Sequence, residues 1–516
     1  MTRQPGRLAK QPFAIISLFI LIVLNSCSKS DSTDTGSGTA GGTSVSIDST
    51  GIVSGTAEGS TDVGADPDDL VENSVFSKTV SIQFGSTISI DNPLDGNGVT
   101  IATTNGDVVI TATVAEVEYI LSGSGSNGSV KIYSDKKFKL TLNGLSLTNT
   151  DGPAINIQSS KRAFIVLADN SSNSLTDGAS YAAAVNDEDM KGTLFSEGQI
   201  IFSGAGALSV KGNYKHAICS DDYIRVRSGA ITITGAVTDG IHSNDAFIAD
   251  GGSLTITAAS DGIECEEGYI IINDGVFVLQ TGDDGIAASY EEGDPDITPY
   301  VTINGGTIRV QSSAGEGIES KSALTINNGD IATVTADDGL NAGTAIYING
   351  GRVYSYSTGN DAMDSNGIFT ITGGKIVAIG ARAPEAGIDC DARTLKITGG
   401  QLVAIGGATS GPTASVSTVP SLIRGAGNAS ELMHIRAADG SEALTFLAPV
   451  SYSTMLVAGS KFKSNTTYTI YTGGSVASAV QFNGLYTSGI YTPGTAGTNF
   501  TTSSLVTQIG GSISRG

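Results

Sequence analysis

Acidic residues recur along the middle of this chain at a nearly constant interval. Asp239-Gly240-Ile241 is followed by Asp261-Gly262-Ile263, Asp284-Gly285-Ile286, Glu316-Gly317-Ile318, Asp338-Gly339-Leu340 and Asp361-Ala362-Met363. Ala386-Gly387-Ile388 continues the motif without the acid, and Asp245, Glu264, Glu266, Glu267, Asp283, Asp337, Asp364, Asp389 and Asp391 crowd around it. If the interval is structural, these acids stack ~5 Å apart in a column. Carboxylates that close repel strongly unless protons or cations lie between them. Ca²⁺ takes about six to eight oxygen ligands in irregular geometry, which suits acids from adjacent turns of chain. The candidate ligands are Asp239, Asp245, Asp261, Asp283, Asp284, Asp337, Asp338, Asp361 and Asp364. The doubled pairs Asp283-Asp284 and Asp337-Asp338 stand out, because a turn needs only one carboxylate to cap its amides. That capping role is the competing reading for each single aspartate. Zinc is not expected, since His216, His242 and His434 form no His/Cys cluster at ligand spacing along the chain. His216 and His242 stand one coil apart in or beside this column and could serve as ligands or bases, surface polar residues being the commoner reading. No Ser/His/Asp spacing, phosphate-cradling loop or dinucleotide fingerprint is present.

What must position the acids is a second repeat in phase with them. Gly-containing turns followed by alternating apolar residues place a glycine at 229, 252, 275, 306, 329, 351, 374 and 400. The spacing is 22 or 23 residues except where 275–306 accommodates a polar insert at 291–300, and at 374–400. A third short strand lies between the motifs, as at Val301-Thr302-Ile303 and Leu324-Thr325-Ile326. Three short strands with inward Ile, Val and Leu make one coil of a parallel β-helix, a solenoid of about 22–23 residues per coil. A propeller blade would need about 40–50 residues. The expected organisation is an N-terminal β cap and first coils over 50–135, a parallel β-helix over 136–410 and a small C-terminal β-domain over 411–516. Cys219 and Cys265 read as equivalent positions two coils apart, too far for a disulfide, so Cys219, Cys265 and Cys390 are expected as free thiols.

The first 26 residues are an address rather than a fold. A basic stretch precedes the apolar run Phe13–Leu24, which is too short to span a bilayer and reads as a signal peptide. Leu24-Asn25-Ser26-Cys27 resembles a bacterial lipobox, which implies cleavage before Cys27 and its lipidation, with residues 27–49 as a flexible tether. The expected location is the outer membrane, facing the periplasm or the cell surface, with membrane contact through the lipid anchor only. Composition fits an all-β body: 68 glycines, no tryptophan and 6% aromatic residues. The net charge of −23 excludes nucleic acid and suits cations. A monomer is expected.

The middle of the chain also resembles a known family. Leu140-Thr141-Leu142-Asn143-Gly144-Leu145-Ser146-Leu147-Thr148-Asn149, Asn173-Ser174-Leu175-Thr176-Asp177, Ala205–Val210 and Thr238–Asp245 are similar to bacterial carbohydrate-binding-domain proteins whose β-helix has a polysaccharide-lyase-like topology. The resemblance covers roughly residues 70–410. It implies a right-handed parallel β-helix, several bound Ca²⁺ ions, and binding of cell-wall glycans, either acidic sugars such as polygalacturonate or cellulose.

Three functions follow as expectations. A calcium-binding, non-catalytic carbohydrate-binding lipoprotein would bridge its own carboxylates to those of uronates through Ca²⁺, with Tyr214, Tyr223, Tyr269, Tyr347 and Tyr354 available to stack on sugars. A calcium-dependent polysaccharide lyase acting on uronate polymers would need a base beside the ions, for which Lys321 and Lys215 are the candidates; a surface salt bridge is the plainer role for both. An adhesin or structural lipoprotein would need no sugar at all.

Overall fold

Isoleucine, leucine and methionine stack in register through the centre of the molecule. In the computed structural model, which describes residues 43–290 and 297–514, Ile218, Ile241, Ile263, Ile286, Ile318, Leu340 and Met363 form one column of cross-strand partners. None of the seven is exposed. Ile224, Phe247, Ile270, Val301, Leu324, Ile346, Phe369 and Leu395 form a second column. Leu208, Ile231, Leu254, Phe277, Ile308, Ile331, Val353, Ile376 and Leu402 form the third. Each coil contributes one residue to each column, so no coil buries its apolar face without its neighbours. The fold is an all-β parallel β-helix. One coil illustrates it: Ile241–Ser243 on the first face, Ala246–Ala249 on the second, Ser253–Ala258 on the third. The first face is a 13-stranded sheet.

Two kinds of glycine hold the corners. The glycines at 229, 252, 275, 306, 329, 351, 374 and 400 all have positive φ, between 75° and 125°, where a Cβ is strained. The glycines of the acidic motif are needed for closeness instead. A Cβ on Gly262 would lie 2.5 Å from the Gly285 carbonyl oxygen, and one on Gly285 2.4 Å from that of Gly317.

Parallel pairing already begins where Lys78–Phe84 meets Val117–Gly125, so coils occupy much of 50–135. Antiparallel hairpins cover the first coils, Val99–Thr104 pairing Asp107–Ala112 and Lys78–Phe84 pairing Ser89–Asp91. At the other end Thr454–Gly459 pairs antiparallel with Gln401–Gly406, closing the third face. A second sheet, Leu432–Ala437, Glu442–Leu447, Thr467–Phe482 and Leu485–Thr501, completes the C-terminal part. Its apolar face packs on Val377, Ile379, Val403 and Ile405, outward residues of the last coils.

The segment read as a tether ends in a strand. Val45–Asp48 pairs antiparallel with Leu485–Thr501, and its alternate residues Val45 and Ile47 are buried. Val45–Asp48 therefore do not belong to the segment expected as a tether, because that alternation supplies an apolar edge for the sheet. The signal peptide, Cys27 and residues 28–42 lie outside the described residues.

From there the chain runs back along the solenoid as a strap. Asn349, Asn327, Asn304 and Asn273 donate side-chain hydrogen bonds to the strap carbonyls of Glu58, Ser60, Asp62 and Val63 at 2.7–2.9 Å. The same amides bond to one another, Asn349 to Asn327 and Asn327 to Asn304 at 2.8 Å. The strap is pinned by Asp69, which is fully buried and ion-paired to Arg162 at 2.7 Å and Arg225 at 3.2 Å. Tyr223 donates its hydroxyl to the same carboxylate at 2.5 Å.

Cys219, Cys265 and Cys390 are free and buried, as expected. The equivalence assumed for two of them was off by one residue: Cys219 is partnered by His242 and then Glu264, whereas Cys265 follows Ser243.

Candidate functional site

The acids lie at the corner that leads into the first face, and each ties one coil to the next. Oδ1 of Asp239 accepts the Asp261 amide at 3.2 Å, Asp261 that of Asp284 at 2.7 Å, and Asp284 that of Glu316 at 2.7 Å. Asp338 accepts the Asp361 amide at 2.9 Å, and Asp361 that of Ala386. In the opposite sense, the following glycines Gly240, Gly262, Gly285 and Gly317 donate to the next acid's carbonyl at 2.9 Å. Amide capping and columnar stacking are thus one arrangement: Oδ1 caps, and the second carboxylate oxygen is left for something else.

Three residues after each corner acid, a second column faces outward. His242, Glu264, Ala287, Glu319, Asn341, Asp364 and Asp389 are successive cross-strand partners. The two columns together make the sites. Carboxylate oxygens of Asp239, Asp261 and Glu264 lie within 4.8 Å of one another, as do those of Asp261, Asp283 and Asp284, and those of Asp361, Asp364 and Asp389. Glu264 and Asp389 complete groups of which the expected ligands supply two members each. For Glu264 the signal was available as an acid at the third place after a corner acid; Asp389 stands three places after Ala386, where the motif lacks its acid.

The other expected ligands sit differently. Asp337 accepts from the Asn360 side chain at 2.5 Å and Asp338 from that of Asn341 at 2.9 Å. Asp245 is exposed at another corner, just before the second face, where its neighbouring acids are Asp222 and Glu267. A further cluster, Asp189, Glu197 and Asp221, already holds a cation: Lys191 is 2.7 Å from Asp221.

Burial and mutual repulsion make the corner acids reluctant to ionise. Burial first, then the charges of Asp239 and Glu264, push Asp261 up to about 8. Asp284, buried and hydrogen-bonded to the Glu316 carboxyl, is pushed up to about 10, and Glu316 is raised as well. Burial raises Asp338 to about 8 against the Asn341 bond, with Asp364 and Asp361 adding to it. Asp361 rises to about 7 through burial, opposed by the Ala386 amide and reinforced by Asp389. Asp364 rises to about 6 through burial and the nearby Asp389. These environments favour the protonated carboxyls, and hard oxygen donors so grouped are of the kind that Ca²⁺ takes.

The histidines correct the reading from sequence. His216 and His242 are buried and their rings stack at 4.2 Å. Together with Asp239 they form a group of potential ligands within 4.8 Å. Spacing along the chain hid this group, because the solenoid register brings positions of adjacent coils side by side.

Little aromatic surface remains for sugar stacking. Tyr223 bonds to Asp69, Tyr347 lies against Gly59 of the strap, and Tyr354 packs on the C-terminal core. Tyr269 stacks on Tyr300, whose hydroxyl donates to Asp62 of the strap at 2.9 Å. Tyr214 is exposed and stacks on Tyr181. Lys321 is ion-paired to Glu319; Lys215 precedes His216. A cleft of about 940 Å³ opens between the 380–385 turn and Tyr452 of the C-terminal part. Glu385 on its wall precedes Ala386, whose amide is held by Asp361.

Comparison with known proteins adds three findings. A carbohydrate-binding domain-containing protein of Acetivibrio thermocellus is 30% identical over 111 residues, 21% of this chain and 39% of that protein. The solved structure of a polysaccharide lyase-like protein from C. thermocellum, a gadolinium derivative, is similar at 24% identity and a TM-score of 0.40, covering 57% of this chain and 96% of that one. The family model of carbohydrate-binding domain-containing proteins matches residues 104–379, more than half of the chain and the whole of the acidic column from Asp239 to Asp364. The chain belongs to the carbohydrate-binding domain-containing protein family.

Proposed function

We propose that this protein is a calcium-binding, non-catalytic carbohydrate-binding lipoprotein that recognises an acidic cell-wall glycan such as polygalacturonate. The observation that carries the reading is the gathering of corner acids and their neighbours into three-carboxylate groups along one face. Family membership supports a carbohydrate ligand. Calcium reconciles an acidic face with an acidic polymer, because an ion held by protein carboxylates presents positive charge to a uronate. A solenoid repeats its sites at coil spacing, so a linear polymer meets several in succession. Cellulose fits less well, since four of the five candidate tyrosines are covered by the chain itself.

Polygalacturonate immobilised on beads tests this. The protein is retained in Ca²⁺ and released by EGTA, with no rise in unsaturated-uronate absorbance. Absorbance that rises with time overturns the non-catalytic reading in favour of a lyase. No retention on polygalacturonate or other wall glycans favours an adhesin or scaffold. The lipid anchor is tested separately: Cys27→Ser moves the protein from the outer-membrane to the soluble fraction, and unchanged fractionation contradicts it.

A further inference from the structure

We infer that His216, Asp239 and His242 form a site for a late first-row divalent metal, zinc being the case tested, at the N-terminal end of the acidic face, sharing Asp239 and Glu264 with the first of the oxygen-only groups but adding two imidazoles to it. Nδ1 of His216 lies 2.9 Å from Asp239 Oδ2, and Nδ1 of His242 lies 3.2 Å from the same oxygen. Glu264 Oε2 is 3.2 Å from His242 Nδ1, the nearest carboxylate for a fourth position. Tetrahedral bonds of about 2.0 Å put neighbouring donors roughly 3.3 Å apart. Three of the six donor-to-donor distances of such a polyhedron, 2.9, 3.2 and 3.2 Å, already stand near its edge length.

The surroundings agree. His216, Asp239 and His242 are 2%, 4% and 6% exposed, so the three are locked by packing. Asp239 Oδ1 is occupied by the Asp261 amide, which leaves Oδ2 as the ligand atom. His242 Nε2, on the far side of the ring, is 3.1 Å from Glu266 Oε2. A carboxylate behind a metal-binding imidazole orients the ring and raises its basicity. Glu266 is half-exposed and Glu264 partly so, which gives the ion a way in. Imidazole nitrogens suit zinc, copper or nickel and are poor ligands for Ca²⁺. The metal would join three successive coils, carrying His216, the Asp239–His242 pair and Glu264.

The test uses the whole chain, stripped with EDTA and titrated with Zn²⁺ by calorimetry in excess Ca²⁺, with Co²⁺ as a spectroscopic probe. One equivalent of zinc binds, and Co²⁺ takes on the intense visible bands of a tetrahedral site. His216→Gln and His242→Gln each weaken zinc by more than about 100-fold, and Glu266→Gln by about 10–100-fold. His434→Gln, in the C-terminal part, leaves it unchanged. A wild-type chain that binds no zinc, or gives only the weak spectrum of six-coordinate Co²⁺, overturns the inference whatever the variants do. Zinc bound equally well by both histidine variants also overturns it. Retention on glycan is not a readout here, so this result and the calcium reading stand or fall separately.

Discussion

Asp284 carries two roles on two oxygens. Oδ1 caps the Glu316 amide, and the carboxyl shares a proton with the Glu316 side chain in calcium-free protein. Asn reproduces the capping oxygen and the neutral state but not the charge an ion needs. Asp284→Asn is therefore expected to change calcium-free stability by less than about 1 kcal/mol, whereas Asp284→Ala leaves a buried amide without its acceptor and costs about 1–3 kcal/mol. Both weaken calcium. Urea denaturation beside calcium titration checks this, and equal destabilisation by the two variants contradicts it. The corner acids were legible because Asp-Gly-Ile repeats in the chain. Glu264 and Asp389 stand in the same register but repeat no motif, and His216 and His242 meet only because one coil lies on the next.

The strap shows what periodicity misses at the scale of elements. Residues 50–77 have no repeat of their own, and their partners lie from about ninety to about three hundred positions away. A trace did exist: Asn273, Asn304, Asn327 and Asn349 each follow an apolar strand and precede its glycine turn. Their side chains form a ladder to which the strap bonds, each rung contributing about 1 kcal/mol. Coil length, corner glycines and inward columns were legible because solenoid stacking turns sequence period directly into space. Asp69 is the strongest test of the strap. Asp69→Ala takes a buried acceptor from two guanidiniums, which keep Asp250 and Asp66 as partners, and should cost about 1–3 kcal/mol. Urea denaturation measures the loss, and limited proteolysis should cut 50–77 faster. A loss under 1 kcal/mol with unchanged cleavage means the strap is not held there.

For the whole molecule, the acid columns couple stability to pH and calcium. Asp361, Asp338, Asp261 and Asp284 have folded values raised to about 7, 8, 8 and 10. Above their ordinary values the unfolded chain ionises while the folded chain holds its protons, so stability falls as pH rises through the folded values. His242, raised to about 9, has the same sign. His216 and His434, lowered to about 4 and 3, oppose it only below their ordinary value near 6.5. Between pH 7 and 9 the calcium-free protein should lose thermal stability, and Ca²⁺ should restore more at pH 9 than at pH 7. Melting temperatures that climb across this window without calcium contradict the column. The central claim, that ions held by this face recruit the glycan, is tested most directly by affinity electrophoresis through polygalacturonate of wild type and an Asp361→Asn/Asp364→Asn/Asp389→Asn variant. The account predicts that wild type is retarded in Ca²⁺ and runs free in EGTA, with the variant substantially less retarded in Ca²⁺. Wild type retarded equally in EGTA, or a variant retarded as strongly as wild type, would contradict it.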